Sequence, residues 1–216
     1  MDTNPWAALP ETPPYVLPDD KAELDSRDIS ANSLGWRLDL LPVPWIGDPA
    51  RASVVLLTLN PSLGDVAREK SDPGFREAYL TNLKGNAPFL WLDERFRGND
   101  GYEYWRRLLR KPIELVGIER VSRRIMCVQY SPYRSATYVH ARCVVPSQRF
   151  SWAMAKQAVM DGRLVVIQRS WHLWVSAVPE LSDYPCVRLR NVRSPFLSEG
   201  NMTANDWERL LSALSI

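Results

Sequence analysis

The run SVVLLTL at residues Ser53–Leu59 is short, rich in β-branched residues and apolar at nearly every position. A run of this kind is typical of a strand that is covered on both faces, as strands of a parallel sheet are. We expect strands at this run and at three further β-rich runs, which are Arg124–Tyr130 (RIMCVQY), Leu164–Gln168 (LVVIQ) and Cys186–Arg190 (CVRLR).

Helical patterns occupy the stretches between these runs and follow the last of them. Ser147 and Thr203 are placed to cap two of these helices. Strands that alternate with helices predict an α/β fold, here a three-layer αβα sandwich around a central, mainly parallel four-stranded sheet. The helical stretches are Gly74–Leu83, Tyr102–Arg110, Ser147–Met160, Ser170–Val178 and Thr203–Leu214.

The N-terminal part differs in composition from the rest of the chain. Residues 1–45 are rich in Pro, Asp and Trp, which predicts an irregular extension with a short helix near residues 20–27. Residues 46–216 then form the α/β domain. The start of the chain carries acids and prolines where a signal peptide would carry basic and apolar residues, so we expect a cytoplasmic protein.

The overall composition is that of an ordinary globular protein. The chain has 216 residues, of which 45% are hydrophobic and 24% charged, and this argues against disorder, collagen-like repeats and coiled coil. No apolar run approaches the roughly 20 residues that a membrane span needs, so we expect no membrane partner. No feature predicts a protein partner either.

The sequence offers little for a metal or a cofactor. It has three cysteines and no CxxC pair, and no GxGxxG, GxxxxGK[ST] or HExxH motif occurs. His140 and Cys143 form an HxxC that supplies at most half of a zinc site or a Cys–His nucleophile pair. We therefore expect no metal and no cofactor.

The net charge of +2 conceals an uneven distribution. Residues 1–30 hold seven acids against two basic residues, whereas residues 95–149 hold twelve basic residues against four acids. The planar guanidinium suits phosphate, and 22 of the 27 basic residues are arginine. The basic middle predicts DNA as a partner, and the alternative is that these arginines pair with acids on solvated helices.

Polar loops follow all four predicted strands. In a parallel sheet the ligand binds where the carboxyl ends of the strands meet the following loops. Tyr133 offers a face for base stacking, and Arg134 offers a phosphate or base contact; the alternative is a surface turn with a half-buried tyrosine. The four loops are Asn60–Asp65, Ser131–Ser135, Arg169–His172 and Asn191–Ser198.

Two of these loops resemble motifs of the uracil-DNA glycosylase superfamily. The stretch LTLNPSLGD (57–65) resembles its first motif, most closely the Gly-Ile-Asn-Pro-Gly form of the mismatch-specific and thymine-excising branches. The stretch RNVRSPFLSEGN (190–201) resembles the second motif, which reads His-Pro-Ser-Pro-Leu-Ser or Asn-Pro-Ser-Gly-Leu-Ser. The resemblance implies a monofunctional DNA glycosylase that flips a pyrimidine out of DNA and hydrolyses its N-glycosidic bond.

The resemblance also assigns roles within the first motif. Asn60 falls where the family positions the attacking water, and Pro61 fixes the turn. Ser62 stands where the uracil enzymes place a tyrosine that blocks 5-substituted pyrimidines, which implies tolerance of thymine or of a hypermodified phage base. Asp65 is a second candidate for activating water, although an acid there also favours the helix dipole. A plain Asn-Pro turn with Asn60 as a helix cap is the alternative.

The second motif carries the leaving-base and DNA contacts in this resemblance. Asn191 or Arg193 would steady the departing base, Leu197 would fill the gap left by the flipped base, and Ser194 and Ser198 would contact phosphate. A Ser-Pro turn leading into the last helix is the alternative. Two other functions stay open: an inactive nucleic-acid-binding module of the same fold, and an α/β hydrolase that acts on free nucleosides.

Overall fold

A five-stranded sheet forms the centre of the computed structural model, which describes residues 3–138 and 143–215. Its spatial order is β1-β3-β2-β4-β5, in which β2 to β5 run parallel and β1 is antiparallel to β3. The predicted α/β class with a mainly parallel sheet is confirmed, and each predicted run forms a strand. The sheet has five strands instead of four because a two-residue edge strand precedes them. The strands are β1 (Trp45–Ile46), β2 (Val54–Thr58), β3 (Ile125–Gln129), β4 (Leu164–Ile167) and β5 (Val187–Arg188).

Helices connect the strands, and five of them coincide with the predicted helical stretches. The hydroxyl of Thr203 accepts from the Asp206 amide at 3.1 Å, so the predicted cap of the last helix is confirmed. Ser147 is not a cap, because its helix begins one residue earlier, at Pro146. The helices are α1 (Pro18–Ser26), α2 (Val66–Ser71), α3 (Pro73–Leu83), α4 (Asp100–Leu108), α5 (Arg110–Val116), α6 (Ile118–Arg124), α7 (Pro146–Met160), α8 (Trp171–Ala177) and α9 (Ala204–Ser215).

Both faces of the sheet are buried, which explains why the strand sequences are almost continuously apolar. Val54 and Leu56 of β2 lie on one face and pack in a core cluster with side chains of α3, α4 and α9; we call it the α9 face. Val55 and Leu57 lie on the opposite face, the α7 face, where side chains of α1, α7 and α8 complete a second cluster.

The N-terminal segment is built into the second cluster. Trp6, Leu24 and Trp36 are buried there, and the predicted boundary at residues 45 and 46 falls inside β1. The short helix expected near residues 20–27 is α1. Within the described residues, the helices are too short or too polar to cross a bilayer.

Candidate active site

A cavity of about 1150 Å³ opens at the carboxyl ends of β2, β3 and β4. The chain leaves β2 for β3 on one side and later reaches β4 on the other, so the cavity lies at the point where the strand order reverses. Such a switch point is where open α/β sheets bind ligands. The α4–α5 region forms the opposite wall of the cavity, which includes Tyr104, Trp105, Arg106, Arg107, Arg110 and Glu114.

A row of three polar side chains forms the floor of the cavity. Thr58 pairs in register with Gln129, and Leu57 pairs with Ile167, which places Gln168 beside Thr58 on the other side. The Thr58 hydroxyl donates to Oε1 of Gln129 at 2.6 Å. All three line the cavity, and the two glutamines are 6% and 2% exposed. The sheet thus turns from apolar to polar where the cavity begins.

Asn60, the predicted water-positioning residue, lines the cavity. Its amide nitrogen donates to Oγ of Ser135 at 2.9 Å, with longer contacts of 3.3 Å to the carbonyls of Ser135 and Pro61. These bonds fix the orientation of the carboxamide. In the part of the chain that the structure describes, no donor is bonded to Oδ1 of Asn60, so this acceptor remains for water or substrate. The side chain does not cap α2.

Pro61 and Ser62 also line the cavity, with Pro61 buried and Ser62 exposed. Asp65 is instead the N-cap of α2, where its Oδ1 accepts from the Arg68 amide at 3.1 Å. The alternative water-activating role of Asp65 therefore does not fit, because it is absent from the cavity lining and its carboxylate serves the helix end.

Arg134 lines the cavity but is only 3% exposed, and its guanidinium is held by neighbouring groups instead of being presented for the predicted phosphate or base contact. Its Nη1 donates to Oε2 of Glu69 at 2.6 Å and to the Leu63 carbonyl at 2.8 Å, and its Nη2 donates to the Tyr79 hydroxyl at 3.2 Å. Burial raises the pKa of Glu69, and the neighbouring Arg134 opposes that rise. This buried pair holds the Leu63–Gly64 turn against the cavity wall.

Gly64 offers a direct test of that packing. It adopts φ +68°, and a Cβ there would lie 2.8 Å from Oε1 of Glu69 and 3.2 Å from Nη1 of Arg134. Gly162 has the same φ of +68°, with nothing within 4 Å of its Cβ position. In both variants, an alanine in this left-handed backbone conformation lowers stability by about 1 kcal/mol. We expect Gly64→Ala to lower the free energy of unfolding by about 1–3 kcal/mol more than Gly162→Ala does, because only the Cβ at position 64 displaces the ion pair. Chemical denaturation measures the difference. Equal losses would contradict this packing.

Tyr133 is also buried, so it does not present the predicted stacking face. The side chain is 1% exposed, and its hydroxyl donates to Oδ2 of Asp20 at 2.5 Å while accepting from the Leu17 amide at 3.2 Å. The ring packs on Trp36, with centroids 4.8 Å apart. Tyr133 therefore ties the N-terminal segment to the β3 loop, which in turn holds Asn60 through Ser135.

The second-motif loop lies beside the cavity, and none of its residues lines it. Oδ1 of Asn191 accepts from the amides of Arg193 and Ser194 at 3.0 and 3.2 Å, so the side chain closes a turn. Asn201 fixes the loop by donating to two of its carbonyls, at 3.0 and 2.9 Å. The role predicted for Asn191, contact with a base in the cavity, does not fit this position. Arg193 is exposed, and Ser194 and Ser198 are partly exposed.

Leu197 is a core residue and not the predicted wedge. It is 1% exposed, belongs to the α9-face cluster, and its amide donates to the Leu108 carbonyl at 3.1 Å. The neighbouring Phe196 is 36% exposed, and the Arg107 guanidinium lies 5.8 Å from its ring centroid. Because Arg107 lines the cavity, this contact brings the second-motif loop to the cavity rim.

The rim also carries cations that the sequence did not single out by position. For Arg106, Arg107 and Arg169, no carboxylate of residues 3–138 or 143–215 lies within ion-pair distance, whereas Arg110 approaches Glu114 at 3.7 Å. Tyr104 of α4 lines the same cavity and is 38% exposed. The alternative of locally paired arginines therefore describes only part of the basic stretch.

The structure describes no candidate metal centre and no known relative identifies the site. Among the described residues, no group of three or more His, Cys, Asp and Glu side chains is placed to hold a metal ion, and His140 lies outside those residues. Compared with known protein families, with curated proteins and with solved structures, the chain shows no match. The resemblance to the uracil-DNA glycosylase superfamily thus rests on the two loop motifs.

Proposed function

We propose that the protein is a monofunctional DNA glycosylase of the uracil-DNA glycosylase type. The observation that carries the proposal is the fixed Asn60 carboxamide, whose Oδ1 is left as an acceptor inside a cavity at the sheet's switch point. The three-layer αβα arrangement of that family is part of the proposal, and the two core clusters on opposite faces of the sheet support it.

Asn60 acts by holding the nucleophile in this proposal. Oδ1 accepts a hydrogen bond from water and directs its oxygen at C1′ of the flipped nucleotide. The C1′–N bond breaks with its electron pair leaving on the base, the water oxygen bonds to C1′, and the water proton passes to solvent or to the departing base. An amide does not take that proton, so positioning supplies the acceleration and turnover is slow.

The size of the cavity supports a bulky substrate base. Ligand pockets are typically about 300–1000 Å³, and this one is about 1150 Å³ with the small Ser62 on its wall. A 5-substituted pyrimidine, such as thymine or a hypermodified phage base, is therefore the proposed substrate. Defence against phage DNA and ordinary repair are the two biological settings for such an activity.

DNA is the proposed partner, held at the rim of the cavity. Arg106, Arg107 and Arg169 would contact phosphates there, because they are basic and not paired with described carboxylates. Arg193 and the serines of the second-motif loop would contact the strand next to the flipped nucleotide. Phe196, exposed and backed by Arg107, takes the gap-filling role that the sequence assigned to Leu197.

A panel of modified DNAs tests the proposal. Duplexes and single strands carrying uracil, mismatched thymine, 5-hydroxymethylcytosine or its glucosylated form are incubated with the protein, and abasic sites are scored by alkaline cleavage. We expect cleavage on at least one substrate, with binding that weakens as salt increases. Salt-sensitive binding without abasic sites would instead favour the binding module, and turnover of free nucleosides without DNA affinity would favour the nucleoside hydrolase.

A further inference from the structure

Glu69 carries an unsatisfied acceptor on the wall of the cavity. It lies on α2, lines the cavity, and has a side chain that is 7% exposed. Its Oε2 accepts from Nη1 of Arg134 at 2.6 Å, whereas its Oε1 is buried and has no hydrogen-bond partner in the described part of the chain. A buried carboxylate oxygen without a donor lowers stability, and a donor on a ligand would satisfy it.

A glycine leaves space in front of this oxygen. Gly64 lines the cavity, and a Cβ there would lie 2.8 Å from Oε1 of Glu69. Ser62 precedes it in the same loop and is the small wall residue that leaves room for a substituent on C5 of the base in the proposed function. A substituent that passes Ser62 along this loop therefore meets a free carboxylate oxygen.

Two further carboxylates lie at the same end of the cavity. Asp100 and Glu103 line it from the first turn of α4, where they also favour the helix dipole. No Lys or Arg of residues 3–138 or 143–215 lies within ion-pair distance of either. Burial raises the pKa of Glu69 and the negative charge of Asp100 adds to that rise, so these two carboxylates lie within electrostatic reach of each other. We call Glu69, Asp100 and Glu103 the acidic end of the cavity.

The arginines lie toward the other end of α4. Arg106 and Arg107 follow Asp100 by six and seven residues, which is about 10 Å along a helix. A phosphate group is attracted by these arginines and repelled by the acidic end, where Asp100 and Glu103 have no paired cation in the described chain. The part of the substrate that occupies the acidic end is therefore a group of the base and not the DNA backbone.

An aromatic ring completes the acidic end. Trp91 lines the cavity, and a Cβ at Gly101 would lie 2.8 Å from atoms of its ring, so the first turn of α4 rests directly on the indole. Carboxylates next to an aromatic ring suit an ammonium group, because both attract a cation and the carboxylates also accept its hydrogen bonds. A hydroxyl in the same place gains only the hydrogen bond, and a carboxylate is repelled.

We propose that the acidic end of the cavity binds an ammonium group carried on C5 of the flipped pyrimidine, with Oε1 of Glu69 as its buried acceptor. This inference rests on the proposed function and narrows its substrate class to pyrimidines with an aminoalkyl substituent. Asp100 and Glu103 supply the negative charge that distinguishes an ammonium group from a hydroxyl of the same length.

Three DNAs of one sequence test the inference. Each carries a single uracil with a 5-aminopropyl, a 5-hydroxypropyl or a 5-carboxyethyl substituent, and single-turnover base release is measured on each. We expect wild type to release the aminopropyl base about tenfold or more faster than the hydroxypropyl base, and the carboxyethyl base more slowly than both. Equal rates on the aminopropyl and hydroxypropyl DNAs would overturn the inference.

A double variant tests whether the preference comes from these carboxylates. Asp100→Asn with Glu103→Gln removes both charges at nearly constant shape and should reduce the aminopropyl-to-hydroxypropyl ratio about tenfold. Asp183→Asn with Glu119→Gln makes the same changes at exposed positions outside the cavity lining and should keep the wild-type ratio. Because each ratio is taken within one protein, a change in the folded fraction does not alter it. An unchanged ratio in the first double variant would overturn the inference.

Binding of the free bases separates this inference from the proposed function. Base release from the DNAs without a preference for the aminopropyl form would overturn the inference and leave the glycosylase intact. If no DNA releases its base, the proposed function fails, and calorimetry with free 5-aminopropyluracil and 5-hydroxypropyluracil still tests the site. Tighter binding of the aminopropyl base, lost in Asp100→Asn with Glu103→Gln, would support the site, and equal affinities in wild type would overturn it.

Discussion

Replacing Asn60 with alanine is expected to lower the single-turnover rate of base release by about 100-fold or more while leaving DNA affinity unchanged. The change removes the Oδ1 acceptor that positions water, and it leaves the rim arginines in place. Rapid-quench measurement of abasic sites gives the rate, and fluorescence anisotropy at the same salt concentration gives the affinity.

Two further variants sharpen this prediction. Asn32→Ala makes the same substitution at an exposed position that does not line the cavity and should keep the wild-type rate. Ser135→Ala removes the hydroxyl that accepts from the Asn60 amide at 2.9 Å and orients it. It should lower the rate of base release about tenfold, which is less than the effect of Asn60→Ala. Full activity in Asn60→Ala would contradict the proposed role of Asn60 in positioning water.

Breaking the buried ion pair between Arg134 and Glu69, both of which line the cavity, is expected to have the largest effect on stability. Arg134→Met leaves Glu69 buried without its partner and should lower the free energy of unfolding by about 3–5 kcal/mol at neutral pH. The loss should shrink at acidic pH, because a protonated Glu69 needs no cation. Burial raises the pKa of Glu69 in the wild type, so the folded state is favoured when this carboxyl is protonated. That contribution to stability is lost as the pH rises through the raised pKa.

The double variant Arg134→Met with Glu69→Leu tests whether the destabilisation comes from the unpaired charge of Glu69. It should recover much of the loss, since two apolar side chains leave no buried charge. Arg37→Met is the matched surface change, because the Arg37–Asp39 pair is about half exposed, and it should cost less than about 1 kcal/mol. Chemical denaturation of all four proteins measures these differences. A loss in Arg134→Met no larger than that in Arg37→Met would contradict a structural role for the pair.

The sequence predicts the parallel strands because their burial on both faces leaves continuous apolar runs. It does not predict β1, since a two-residue strand after Pro42 and Pro44 has no periodicity to detect. The separate helices α2, α5 and α6 are too short to show a clear apolar stripe. The N-terminal segment looked irregular because its burial depends on distant partners such as Tyr133.

The sequence predicts the candidate site only in part, for a similar reason. The rule that ligands bind after parallel strands places Asn60, Pro61 and Ser62 in the cavity. Tyr133 and Leu197 have the chemistry for DNA contacts, but tertiary packing buries them. The floor glutamines lie inside strand-like runs, so loop position does not mark them as site residues. A signal existed: on the α9 face each of the three strands has two apolar residues followed by a polar one, at Thr58, Gln129 and Gln168.

The central claim is that this cavity releases a base from DNA. The most direct measurement is to incubate excess wild-type protein with each DNA of the substrate panel and to quantify the free base and the abasic site in the same sample. We expect both products to form in equal amounts on at least one of these DNAs and both to disappear in Asn60→Ala. Bound DNA with its base intact, across the full panel of substrates, would contradict it.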